Sequence, residues 1–224
     1  MIQDLLIAQG KADILFHEAE NRGYIVPGET EKQLNKKLFE LAEELFGIRK
    51  YWHKRIVRAG VNTLLPYKEN PPDLVLAEEE ILFFDFGPVF DEWEADYGRT
   101  YVIGSDPARH RLKKDIETAW YAGKEYWDKH FEKLTAAQFY AFTQELAVKM
   151  GWEFGNIHCG HLVGNFPHEE IQGDEQVNYL HPNNPSLVAD TDPEGRRRYW
   201  IYEVHFVDRA KGIGGFFEQL ISSV

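Results

Sequence analysis

An α+β chain built from two similar halves is the fold class this sequence predicts, and three observations carry it. Amphipathic helical stripes come in two pairs, and each pair gives way to strand-like runs. The second helix of each pair also shares a layout. ETEKQLNKKLFELAEELFG stands beside LTAAQFYAFTQELAVKMG, each with a threonine cap, an apolar stripe and a terminal glycine. With 224 residues, 43% hydrophobic and 14% aromatic, the chain is long enough for one sizeable core and short for two, so residues 1–224 are expected to form a single domain.

The elements follow in order. Leu5, Leu6, Ala8, Ala12, Leu15, Phe16 and Ala19 recur at helical spacing over residues 1–22, and Pro27 with Gly28 closes that segment. Thr30 can cap a second helix whose stripe, Leu34, Leu38, Leu41, Ala42 and Leu45, stops at Gly47. Strands are expected over 54–59 and 79–86, separated by a loop with Pro66, Pro71 and Pro72. DPARHRLKKDIETAWYAGKEYWDKHF predicts a long third helix, and Thr135 and Gly151 bound a fourth. Strand-like runs return near 157–164, 199–207 and 215–222, with GIGG at 212–215 read as a hairpin turn. Residues 172–198 have turn chemistry and little periodicity, which predicts a long loop that covers or serves a site. His181, Arg196, Arg197 and Arg198 on that loop could bring positive charge over the groove between the halves.

Composition narrows the function. The net charge of −12 argues against a nucleic-acid backbone or an anionic membrane as the main partner and leaves room for a protein that holds divalent cations. The single cysteine, Cys159, excludes an internal disulfide and a multi-cysteine zinc site. No segment approaches the roughly 20 apolar residues of a membrane span, and the N-terminus lacks a basic signal region, so a cytoplasmic location is expected.

Ionisable groups stand where a core should be. Asp85 follows the apolar run Ile81, Leu82, Phe83, Phe84, and Asp96 comes eleven residues later in ADYGRT. His161 and His168 lie in HCGHLVGNFPHEE, Glu203 in YWIYEVHFVD and Glu218 in GIGGFFEQLI. An ionised carboxylate removed from water costs several kcal/mol unless a cation or donors meet it. Four carboxylates with one imidazole therefore call for about two divalent ions, and this donor set admits Mn, Co, Fe or Zn. Cys159 would share a strand face with His161, but a small buried packing residue is the stronger reading. His205, two residues past Glu203, should face the same side of its strand and could line a pocket. Arg99 is expected to orient or neutralise the acidic cluster.

The order Asp85, Asp96, His161, Glu203, Glu218, with the local forms DFG, ADYGRT, GHLVGNFPHE and YEVHF, resembles the pita-bread metallopeptidases: methionine aminopeptidase, Xaa-Pro aminopeptidase and prolidase. The resemblance runs over nearly the whole chain. It implies a pita-bread (creatinase/aminopeptidase) fold with pseudo-symmetric halves and a dinuclear site, with manganese among the candidate metals. Asp85 would chelate one ion, Asp96 and Glu218 would bridge both, and His161 with Glu203 would complete the other. It further implies that a bridging water is the nucleophile, that Glu203 shuttles the proton and that His168 donates to the oxyanion. Relatives carry a histidine that contacts substrate on the leaving-amine side, where this chain has Tyr67, and Val204 replaces a proline after the glutamate. The function implied is a metal-dependent hydrolase of the aminopeptidase or Xaa-Pro peptidase type, acting on a small peptide or amide. A catalytically silent peptide- or protein-binding module and an enzyme for a small non-peptide amide stand as alternatives. A homodimer is left open.

Overall fold

The computed structural model describes residues 1–65, 67–167 and 176–223. Helix α1 (Ile2–Asn21) buries Leu5, Ala8, Ala12, Leu15, Phe16 and Ala19, the predicted stripe without Leu6. Thr30 starts α2 (Glu31–Phe46) through a capping box, its hydroxyl accepting from Gln33 N while the Gln33 side chain accepts from Thr30 N. Gly47 ends that helix in the left-handed region. After strands β1 (Ile56–Ala59), β2 (Glu80–Phe86), β3 (Val89–Phe90), β4 (Trp93–Glu94) and β5 (Tyr97–Ile103), the pattern repeats with α3 (Pro107–His130) and α4 (Ala136–Met150). Thr135 and Gln138 form the same capping box on α4, and Gly151 the same left-handed stop, so the repeat seen in the sequence extends to identical cap chemistry. The chain ends with β6 (Glu153–Phe154), β7 (Leu162–Val163), β8 (Tyr199–Asp208) and β9 (Ile213–Leu220).

The main sheet is antiparallel, in the order β1-β2-β5-β9-β8-β6, with β7 also pairing β8. Exchanging the halves maps β2 onto β8 and β5 onto β9, and the halves join where Gly98 on β5 pairs Glu218 on β9. Each half has its own apolar cluster. Phe16, Leu34, Leu38, Phe84 and Phe86 build one, and Ile116, Trp127, Phe139, Tyr202, Phe206 and Phe217 the other. Strand side chains alternate between faces. Phe84, Phe86, Tyr202, Val204 and Phe217 therefore go to these clusters with the helices, while Asp85, Glu203 and Glu218 fall on the opposite face. The fold is the expected pita-bread α+β arrangement.

The run 157–164 departs from expectation, since only Leu162 and Val163 are strand. Gly160 explains this. Its φ is +148°, and a Cβ there would lie 2.1 Å from the Ile201 carbonyl oxygen, so the chain crosses β8 too closely for a regular ladder. The crossing is fixed by Glu203 N donating to Cys159 O (3.0 Å) and Ile201 N donating to His161 O (2.8 Å). No helix of the described residues is long and apolar enough to cross a membrane.

Candidate metal centre

Four of the five expected ligands converge with their side chains out of water. Asp85 and Asp96 come from the end of β2 and the start of β5, Glu218 from β9, and His161 from the crossing segment, and none is more than 8% exposed. His161 Nε2 stands 3.0 Å from Asp96 Oδ2 and 3.8 Å from Glu218 Oε1. Its Nδ1 donates to the Leu162 carbonyl (2.8 Å), which fixes the ring. Glu203 lies opposite Glu218 in the β8–β9 register, but its carboxylate turns aside. Glu203 Oε1 is 2.7 Å from His158 Nδ1, and Oε2 accepts from Asn156 Nδ2 (3.3 Å).

A residue that the strand pattern does not flag completes the cluster. His53, in the turn between α2 and β1, places Nε2 3.1 Å from Asp96 Oδ1 and 3.6 Å from Asp85 Oδ1. His53, Asp85 and Asp96 form one group able to hold a metal ion, and Asp96, His161 and Glu218 form a second, each with donor atoms within 4.8 Å of one another. Asp96 belongs to both.

The charges behave accordingly. Burial, reinforced by the carboxylates of Glu218, Asp96 and Glu203 and opposed by His53, pushes Asp85 well above the usual carboxylate range. Burial together with Asp96 and Glu203 raises Glu218 in the same way, against the pull of His161. Burial also works against an ionised Asp96, yet His53 and His161, one on each oxygen, hold it below its usual value. For His161 burial is likewise outweighed, by Asp96 and Glu218, and its pKa rises. Glu218 Oε2 is buried and accepts no hydrogen bond from any described residue. An orphaned carboxylate oxygen beside three further carboxylates and two imidazoles fits divalent cations.

The remaining expected site residues fall elsewhere. Tyr67 borders the cluster, its ring 5.7 Å from His53 and its hydroxyl accepting from Lys54 N (3.2 Å). His205 shares the face of Glu203, as its position requires, but it does not line an open pocket. It is 2% exposed beneath the turn at 60–64, its Nε2 donates to the Thr63 carbonyl (2.8 Å), and it packs against Phe83 and Phe216. His168 lies outside the described residues. Cys159 is fully buried and packs in the second core cluster. Arg99 touches the site from behind, donating to the carbonyls of Gly98 (2.7 Å) and Glu218 (2.9 Å) while held between the Tyr97 and Phe217 rings. Arg196 pairs with Asp192 and Glu194, and Arg197 donates to the Ser223 carbonyl.

Comparison with known proteins agrees with this geometry. No curated protein matches the sequence. Among solved structures, a prolidase from Thermococcus sibiricus superposes with a TM-score of 0.75 at 19% identity, covering 100% of this chain and 59% of that one. The prolidase from Pyrococcus furiosus gives 0.72 at 18% identity over 98% and 59%. An X-Pro aminopeptidase from Thermotoga maritima gives 0.70 at 18% identity over 100% and 61%. The chain thus spans about three-fifths of the length of the structures it resembles. The sequence model described as metallopeptidase family M24 matches residues 3–192, which takes in Asp85, Asp96 and His161 and stops before the two glutamates. Glu218 nevertheless arrives at the same site through the second half of the fold, with Glu203 opposite it in the β8–β9 register, and the chain belongs to metallopeptidase family M24.

Proposed function

We propose that this chain is a two-metal amide hydrolase of the aminopeptidase or Xaa-Pro peptidase type, acting on small peptides. The observation that carries the reading is the buried cluster around Asp96, with acidic and imidazole donors on both sides of one carboxylate. When bound, two divalent cations would supply Lewis acidity, lowering the pKa of water and polarising an amide carbonyl. Asp85, Asp96, His161 and Glu218 would hold them. Glu203, held by His158 and Asn156 across the strand pair from Glu218, would accept and return a proton, and the family resemblance gives His168 the task of donating to the oxyanion.

A second reading concerns the substrate. Tyr67 offers one neutral hydroxyl where relatives have a histidine. Next to it a cleft of about 620 Å³ is lined by Lys32, Lys36, Lys54, Arg55 and Arg58, with Glu31, Glu69 and Asp73 also at its wall. In a chain of net charge −12, such a basic cluster favours a substrate with an acidic end. The test is metal analysis followed by turnover on peptides and small amides, neutral and acidic, with Mn, Co, Fe or Zn restored. Cleavage of acidic over neutral peptides supports both readings. Cleavage of neutral Xaa-Pro peptides alone overturns the second. Two bound ions with no hydrolysis of any amide would leave a silent binding module.

A further inference from the structure

We propose that His53 is a metal ligand, so that each half of the fold gives one imidazole to the centre, alongside the carboxylates of Asp85, Asp96 and Glu218. This rests on reading the cluster as a two-ion centre, and it adds a donor beyond the five that the motif order supplies.

The first observation is the tautomer. His53 Nδ1 lies 2.8 Å from the Lys54 carbonyl oxygen, which can only accept, so Nδ1 carries the proton. Nε2 of the neutral ring then presents a lone pair to Asp96 Oδ1 at 3.1 Å and Asp85 Oδ1 at 3.6 Å. Without a second proton on Nε2, three acceptors face one another and repel unless a cation sits among them. Donor atoms bound about 2.1 Å from one ion lie about 3.0 Å apart at right angles and about 3.4 Å apart in a tetrahedron, which matches these separations.

The second observation is the twin. His161 uses the same device, with Nδ1 donating to the carbonyl of the next residue, Leu162, at 2.8 Å and Nε2 aimed at Asp96 Oδ2 at 3.0 Å. Asp96 gives one oxygen to each ring. A histidine ligand anchored through its other nitrogen is the arrangement that fixes imidazoles on metals. His53 stands just ahead of β1, the partner of the strand bearing Asp85. His161 stands just ahead of β7, which pairs with the strand bearing Glu203.

The third observation is that the space for His53 is built. Its side chain is 8% exposed, and the Trp52 ring sits edge-on to both His53 (4.4 Å) and His161 (5.3 Å) while its Nε1 donates to Ala95 O (2.9 Å). At Gly87, two residues past Asp85, a Cβ would lie 2.1 Å from His53 Cδ2, so the glycine clears room for the ring. A residue that only touched substrate from the rim would not need this enclosure.

Cobalt-loaded protein tests the assignment directly, because the Nδ1–H of an imidazole bound to Co(II) gives a strongly shifted, exchangeable proton resonance. Wild-type protein with two cobalt ions should show two such resonances, and His53→Ala one. Titration calorimetry should show one of the two cobalt affinities weakened in His53→Ala by a hundredfold or more. Two bound ions with a single shifted resonance in the wild type would overturn the inference while leaving the two-ion centre intact. Failure to bind any ion would overturn both. The wild-type spectrum decides even if the variant does not fold.

Discussion

Removing the metal should destabilise this protein strongly near neutral pH and much less in acid. Asp85, Asp96, Glu203 and Glu218 are 8%, 3%, 5% and 3% exposed, so water cannot screen their mutual repulsion. An ion held at a hundred times its dissociation constant stabilises the folded state by about 2.7 kcal/mol, and two by about 5 kcal/mol. In a chain of this size each kcal/mol moves Tm by about 2–4 °C, so chelation at pH 8 should lower Tm by about 10–20 °C. The pH dependence follows from the shifted groups. Asp85 and Glu218 have folded-state pKa values raised above their usual ones, so the ionised forms cost stability at neutral pH, and the cost is relieved as pH falls through the raised values. His53 and His161 are also raised, so what they contribute is complete below about pH 6.5 and lost as pH rises through their folded values. Asp96 has the opposite sign, but its contribution fades only below the ordinary aspartate range. The metal-free protein should therefore melt higher at pH 6 than at pH 8, while the benefit of added metal shrinks over the same interval as ligands protonate. Scanning calorimetry at both pH values, with chelator and with saturating metal, measures this. A chelated Tm that is unchanged at pH 8, or that falls on acidification to pH 6, would refute the reasoning.

Two further outcomes are expected. Gly87→Ala would drive a methyl into His53 Cδ2 and Trp52 Nε1, at 2.1 and 2.4 Å, and should weaken metal binding by about ten- to a hundredfold with the far-UV spectrum retained; unchanged affinity by calorimetry would contradict it. Arg99→Leu removes the donor on the Glu218 carbonyl from between two aromatic rings and should cost about 1–3 kcal/mol in denaturant titration, a loss that a purely surface arginine would not show.

Much of this fold was legible because local rules and the global arrangement agree. The two capping boxes and left-handed glycine stops bound the second helix of each half as their threonines and glycines predict, and the alternation around Asp85, Glu203 and Glu218 put each carboxylate on one face. Position on a face could not say what covers it. His205 is correctly placed by period, yet the turn at 60–64 lies over it, and that contact spans 142 residues of sequence. Glu203 is likewise on the right face, but His158, which no strand pattern connects to it, turns its carboxylate aside.

His53 was hidden for a related reason. The telling signal for the other ligands is an ionisable group inside an apolar strand, whereas His53 sits in the polar turn Tyr51-Trp52-His53-Lys54-Arg55, whose composition reads as surface. The duplication held the missing clue. Each second helix ends at a left-handed glycine, and a histidine follows before the strand that bears the next carboxylate, Gly47 then His53 ahead of β2 in one half and Gly151 then His161 ahead of β8 in the other. Exchanging the halves maps the strand of Asp85 onto that of Glu203 and the strand that follows Asp96 onto that of Glu218, and a ligand set with only one histidine is lopsided. The two rings on the two oxygens of Asp96 restore the balance. They also predict that the ions, each with one nitrogen and shared oxygens, should be nearly alike in affinity rather than one tight and one loose. Stepwise metal titration followed by calorimetry resolves the two constants, and a separation beyond about a hundredfold, or about 2.7 kcal/mol, would show that the halves do not contribute equally.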